Sequence, residues 1–354
     1  MAVRGLEVGV DHGRRPDRRG NGAVRLAPRE VPLVRSLRVA PSSEGGTTRR
    51  LSDEEIEIRS DECRIRVLAA GICGTDLQIL EGYAGFAGVP GHEFVGIVET
   101  APDGDRHWIG TRVVGEINVG CGGCHWCHAG TSNHCPTRSV LGIVNRHGAF
   151  ATHLSLPAAN LHRVPERLND AAAVLVEPTA AACEILTQVD VGPQSRVAVI
   201  GDGRMGLLVG QVLRAAGAKT TLIGRHDRKL RLAAKLGLIP RTAAEPPAEK
   251  SFDISIDVTG RADGLKSALA LVRPRGTVVM KSTVHGDTAV TLWPAIVDEV
   301  TLVGSRCGPF DAALERISDG RVLTEPLIEH SFPLDEHHAA FAATRTSLKV
   351  LLRP

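Results

Sequence analysis

The sequence predicts an α/β protein of two units: a β-rich, barrel-like domain and a doubly wound parallel sheet. Three observations predict it. Short alternating strands separated by Gly-rich turns run from Cys63 to about residue 165. Beyond Asp170 the texture changes, and Ala- and Leu-rich segments at helical spacing alternate with short apolar strands. Between one such strand and the helix after it stands GDGRMG, Gly201 to Gly206, where a sheet of this kind meets its ligand.

The elements follow in order. Residues 1–50 carry eleven Arg, no Lys and five acids, an excess of +6, so a net charge of +2 leaves −4 for the remainder. No aromatics interleave with those arginines, so residues 1–30 are expected to be a flexible extension and no nucleic-acid partner is expected. CRIRVL alternates as a half-buried strand, and FVGIVET is a second strand after Gly91-His92-Glu93. Then come SRVAVI, the helix MGLLVGQVLRAAG, the strand KTTLIG and the helix DRKLRLAAKLG, with DISID, GTVVM and TLVG as later strands. DAALERISDG reads as a helix, and a short tail ends in SLKVLL. No apolar run approaches the roughly 20 residues of a membrane span. No apolar leader opens the chain, and four of eight cysteines crowd into one cluster, so a reducing, cytoplasmic setting is expected.

GDGRMG has the context a dinucleotide motif requires: strand before, helix after, and a second strand within about 30 residues. Gly201 allows the tight turn, Gly203 lets the backbone approach a pyrophosphate, and Gly206 lets helix and strand pack, which makes this unit Rossmann-like. Arg204 and Met205 complete the expected cofactor-binding loop. The strand KTTLI then ends in Gly224 and Arg225, where NAD sites usually place an acid for the adenosine ribose. Gly224 removes that charge and Arg225 offers a fork of donors for a 2′-phosphate, so NADP(H) is expected over NAD(H). Asp227 is expected to cap the next helix.

Cys121, Cys124, Cys127 and Cys135 in CGGCHWCHAGTSNHC are close enough to wrap one ion, and four thiolates leave a tetrahedral Zn²⁺ no open position. A redox dithiol is the alternative. Elsewhere Cys73, His92, Glu93 and Glu177 offer a thiolate, an imidazole and carboxylates, the donor types of a catalytic Zn²⁺.

GICGTD, GHE, CGGCxxCxxGxxxxC, VEP and GDGRMG, in this order, resemble the zinc-dependent medium-chain alcohol dehydrogenases, a superfamily with sorbitol, threonine and glucose dehydrogenases; the likeness runs from about residue 60 to 354. The resemblance implies a GroES-like catalytic domain at 31–180 and 309–354, a nucleotide-binding domain at 181–308, and two zinc ions per subunit. Cys73 and His92 would hold the catalytic zinc, with Glu177 as third ligand and Glu93 as a carboxylate able to exchange. Thr75 would relay the substrate proton, Asp76 would orient His92, and Lys349 would reach the cofactor pyrophosphate. The reaction would be hydride exchange between an alcohol (polyol, sugar or secondary alcohol) and its carbonyl, in a homodimer or homotetramer joined through the nucleotide domains.

Two departures stand out. Gln78 occupies a position where relatives often carry a proton-shuttling His, and no Pro-rich opening precedes Cys63. A reductase running towards the alcohol, and a catalytically silent zinc- and nucleotide-binding protein, stay open as alternatives. Tyr83, Phe86, Arg306 and the stretch Lys281 to Thr283 are candidate pocket residues, with ordinary packing as the other reading of the two aromatics.

Overall fold

Buried and exposed side chains alternate along β3 (Cys63–Gly71), where Cys63, Ile65 and Val67 face one core, until Ala69 and Ala70 are covered on both sides. This strand is central to the first domain of the computed structural model, which describes residues 33–42, 47–55, 59–283 and 289–354. Ahead of it, β1 (Leu33–Pro41) and β2 (Thr47–Glu55) form an antiparallel hairpin. After it come α1 (Gly74–Leu80), β4 (Glu93–Thr100), β5 (Arg112–Gly115), β6 (Asn118–Val119), α2 (His125–His128), β7 (Ser139–Val140), β8 (His153–Leu156) and β9 (Leu161–Arg163). The extension expected at residues 1–30 lies outside the described residues.

A helical stretch, α3 (Asp170–Val174), α4 (Val176–Cys183) and α5 (Ile185–Gln188), leads into the second unit. There β10 (Arg196–Ile200), α6 (Arg204–Ala215), β11 (Lys219–Gly224), α7 (Asp227–Lys235), β12 (Ile239–Thr242), β13 (Phe252–Asp257), α8 (Gly264–Leu271), β14 (Val272–Met280), α9 (Trp293–Val297) and β15 (Thr301–Gly304) follow. The six strands are all parallel, in the order β12-β11-β10-β13-β14-β15. Val197 and Val199 of β10 feed the core on one face of this sheet, and Ala198 and Ile200 the core on the other. Burial on both faces is why β10 reads as a continuous apolar run. Strand order reverses between β10 and β13, which opens a crevice at their carboxyl ends. Asp227 is the first residue of α7, and His226 takes the cap position expected of it.

The chain then returns through α10 (Phe310–Ser318), β16 (Ile328–Pro333), α11 (His337–Ala343) and β17 (Lys349–Arg353). Here β17 pairs antiparallel with β3, Leu351 opposite Gly71, in a seven-stranded sheet ordered β16-β17-β3-β4-β5-β9 with β8 also on β3. The tail therefore supplies a strand beside the segment that enters α1, and Ile72 N–H donates to Val350 O at 3.0 Å. The two units share a core: Ala69 and Val95 of the first sheet pack with Val174 to Val176 and the apolar face of α6. Among the described residues no helix is long and apolar enough to cross a membrane.

Candidate active site and metal centres

Cys73 caps α1, and its backbone N–H donates to Asp76 Oδ2 at 2.7 Å. That bond fixes the Asp76 carboxylate, which is fully buried, so its other oxygen stands 3.3 Å from His92 Nδ1. Glu93 opens β4 directly opposite Gly71, with which it pairs, and His92 immediately precedes it. One Cys73 sulfur, one His92 ring nitrogen and one Glu93 oxygen thus lie within 4.8 Å of one another. Thr75 Oγ1 lies 3.9 Å from Cys73 Sγ.

Glu177, in the first turn of α4, is half-buried and stands outside that tight group. Its field still reaches the group: burial first, then the negative charges of Glu93 and Cys73, push its carboxyl up to about 8 against the pull of His92. At Cys73, burial favours the neutral thiol, but Arg204 and His92 outweigh it and lower the thiol to about 6. At His92, burial opposes the charge, yet Asp76 and Cys73 hold the imidazole well above its ordinary value.

The Lys349 side chain is fully buried, with Nζ on Glu93 Oε2 and, at 3.1 Å, on Ile72 O. Glu93 Oε1 is buried with no hydrogen-bond partner. An orphaned carboxylate oxygen, a cysteine sulfur and an imidazole whose Nδ1 stands 3.3 Å from Asp76 form a donor set that fits Zn²⁺.

The second cluster fits a closed site. All four sulfurs of Cys121, Cys124, Cys127 and Cys135 lie within 4.8 Å of one another, with Cys124 and Cys127 3.6 Å apart and no disulfide formed. Sulfurs each 2.3 Å from one tetrahedral ion stand about 3.8 Å apart. His125, His128 and His134 are exposed around the lobe.

The glycine loop has the required shape. Gly201 has φ of +123°, a β-carbon on Gly206 would lie 1.9 Å from Gly201 O, and nothing lies within 4 Å of one on Gly203. Met205 packs on the core below. Beside the loop a cavity of about 300 Å³ is lined by Asp202, Gly224, Arg225, His226 and Thr259, among others. Asp202 carries what the sequence reading missed: its carboxylate accepts the N–H groups of Arg225 and His226, both at 2.7 Å. It fills the notch of Gly224, whose β-carbon would meet Asp202 Oδ2 at 2.5 Å. Arg225 is exposed at the rim.

Of the pocket candidates, Phe86 is buried with Val39 and Ile79, and Tyr83 packs on them. Lys281 Nζ donates to Ser305 Oγ at 3.1 Å, and burial first lowers it to about 8 although Cys307, Glu184 and Glu177 oppose that. Arg306 donates to Asn133 O, and Gln78 reaches Thr283 O at 3.5 Å. Asn118, not singled out in the sequence, donates to Cys307 Sγ at 3.2 Å.

A thiolate–imidazole–carboxylate centre beside a dinucleotide loop, with a separate four-cysteine site, defines a zinc-type oxidoreductase acting on alcohols. Comparison bears this out. A family model described as the alcohol dehydrogenase GroES-like domain matches residues 59–166, and one described as zinc-binding dehydrogenase matches residues 205–319. The chain is 31% identical over 297 residues to the starvation-sensing protein RspB of Escherichia coli K12, covering 79% of this chain and 87% of that protein. It is 29% identical over 320 residues to D-arabinitol dehydrogenase 1 of Uromyces fabae, covering 84% and 91% respectively. A solved structure described as a short chain alcohol dehydrogenase (rspB) from E. coli CFT073 with NADH superposes with a TM-score of 0.84 at 27% identity, covering 91% of this chain and 100% of that one. The chain belongs to the zinc-dependent medium-chain alcohol dehydrogenase superfamily and is an alcohol dehydrogenase with a GroES-like and a Rossmann-like unit.

Proposed function

We propose that the enzyme interconverts a polyol, sugar or related secondary alcohol and its carbonyl, using NADP(H), with two zinc ions per subunit. The convergence of Cys73, His92 and Glu93 donor atoms within 4.8 Å, beside the Gly201 loop, carries the proposal. D-arabinitol dehydrogenase 1, a polyol enzyme by name, supports the substrate class. When bound, a zinc ion supplies Lewis-acid polarisation of the substrate oxygen and the nicotinamide supplies the hydride acceptor.

The chain's own residues do the rest. Cys73 and His92 would hold the metal, with Glu177 as third ligand and Glu93 as a carboxylate able to exchange. Asp76 Oδ1 faces His92 Nδ1 at 3.3 Å and would orient the ring, which would leave Nε2 for the metal. Lys349 balances one Glu93 oxygen and leaves the other free. The Thr75 hydroxyl takes the substrate proton and passes it outward through water, since Gln78 cannot titrate. Gly201, Gly203, Arg204, Met205 and Gly206 would seat the pyrophosphate, while Arg225, next to Gly224, would receive the 2′-phosphate. Cys121, Cys124, Cys127 and Cys135 hold the structural zinc. The working unit spans 31–180 and 309–354, and the nucleotide unit 181–308. A second copy joins through the outer edge of β15, and cysteines left unpaired at all eight positions suit a cytoplasmic setting.

The test is a panel of polyols, sugars and simple alcohols, with the matching carbonyls, assayed with NADP(H) and NAD(H) by reduced-nicotinamide absorbance. Turnover of polyols with higher efficiency for NADP(H) is expected. Higher efficiency with NAD(H), the cofactor in the rspB structure, overturns the cofactor assignment, and turnover restricted to simple alcohols overturns the polyol assignment.

A further inference from the structure

We propose that Arg204 bridges the two halves of the site, giving one N–H to the Cys73 sulfur and the others to the cofactor pyrophosphate. Cofactor binding and the metal thiolate are thereby linked through one side chain. The inference rests on the zinc-and-dinucleotide reading above and adds a physical connection within it.

Arg204 is the first residue of α6, a helix of 12 residues capped by Gly203. The N–H groups and dipole at such an end attract a pyrophosphate. The Arg204 side chain leaves that end and crosses to the other unit. Its Nη2 lies 3.5 Å from where a β-carbon on Gly74 would stand, next to Cys73. There the guanidinium is half-buried beside the Cys73 segment. Gly74 has no side chain of its own, so the guanidinium takes the space between Cys73 and the helix end. Burial works against its charge, but Cys73 and Glu93 strengthen it.

The chemistry suits a bridge. Guanidinium carries five N–H donors in a planar fork, and one bond to sulfur leaves four for phosphate oxygens. An N–H donated to a thiolate draws charge from the sulfur, which leaves the metal more electron-poor and a better acid towards the substrate oxygen. A lysine provides the charge without the fork.

The test uses full-length protein with cobalt in the Cys73 site and zinc kept in the four-cysteine site, as wild type, Arg204→Met and Arg204→Lys. Two quantities are read: the energy of the sulfur-to-cobalt charge-transfer band and the dissociation constant for NADPH by fluorescence. Arg204→Met is expected to weaken NADPH about 10- to 100-fold and to move the band to lower energy. Arg204→Lys, which covers the case of a misfolded Met variant, is expected to recover part of the affinity with the band still displaced. An unmoved band in both variants overturns the bridge, and so does an unchanged NADPH affinity in both. Wild-type protein that takes no cobalt at Cys73 overturns the zinc reading itself and the bridge with it.

Discussion

A lysine with no accessible surface needs an anion beside it, and Lys349 has Glu93. Removing one partner of such a pair leaves the other charge buried and uncompensated. Lys349→Met is therefore expected to cost about 3–5 kcal/mol of stability, read by denaturant unfolding of the metal-loaded protein. Unchanged stability with weakened cofactor binding would favour the pyrophosphate role expected from the sequence. The Glu93 pairing was not legible in the sequence for a physical reason: Glu93 and Lys349 are 256 residues apart, and only the pairing of β17 with β3 brings them together. Asp202 escaped notice similarly, because nothing local says that its carboxylate fills the notch of Gly224. The four-cysteine site was readable because all its donors fall within one short loop, and GDGRMG because strand, turn and helix are contiguous. Cys73, His92 and Glu93 were readable as donor types, but their convergence was not, since β3, α1 and β4 must first fold together; Glu177, singled out with them, lies outside the tight group.

At the level of elements, α10 is held to the first domain by a histidine. His162, at the second position of β9, stacks on Phe310 with ring centres 5.2 Å apart, and Nδ1 lies 2.7 Å from Asp311. Its other nitrogen stands 3.3 Å from Glu116. Burial opposes the charged imidazole, but Glu116 and Asp311 outweigh it, so its pKa in the fold is raised. A raised pKa means the stabilisation is complete below the unfolded value, about 6.5, and is lost as pH rises through the folded one. Asp311 is exposed and the pair is screened, so His162→Asn is expected to cost about 1 kcal/mol at acid pH and less at pH 9. The check is Tm against pH for both proteins; a gap that widens with pH contradicts the latch. Strands with apolar alternation were readable, whereas the β1–β2 hairpin was not, because RRLSDEE in β2 carries too little apolar signal to mark a strand.

At the scale of the whole molecule, the parallel sheet ends in β15, whose outer edge has no strand partner among the described residues. Beside it α9 exposes Trp293, Ile296 and Val297, with Ile296 76% accessible. An uncovered edge strand next to an apolar helix face is a template for a second copy of the chain. Ile296→Glu is expected to shift a dimer to monomers in sedimentation velocity, with the metal content of each subunit unchanged. A wild type that sediments as a monomer rules this surface out. The parallel sheet followed from the βαβ alternation, but its strand order did not, and the return of the tail to the first sheet came only with the family resemblance, since SLKVLL names no partner.

In the proposed function the four crowded cysteines are structural and Cys73 holds the working metal. Zinc content and reduced-nicotinamide production, measured together on the wild type, Cys73→Ser and Cys124→Ser, test it most directly. Two zinc ions per wild-type subunit are expected. Cys73→Ser protein should stay folded, keep the four-cysteine zinc and lose hydride transfer. Cys124→Ser protein should lose the other zinc and unfold more readily. Undiminished turnover in Cys73→Ser, or a Cys124→Ser protein that keeps its stability and both metals yet transfers no hydride, would contradict this assignment.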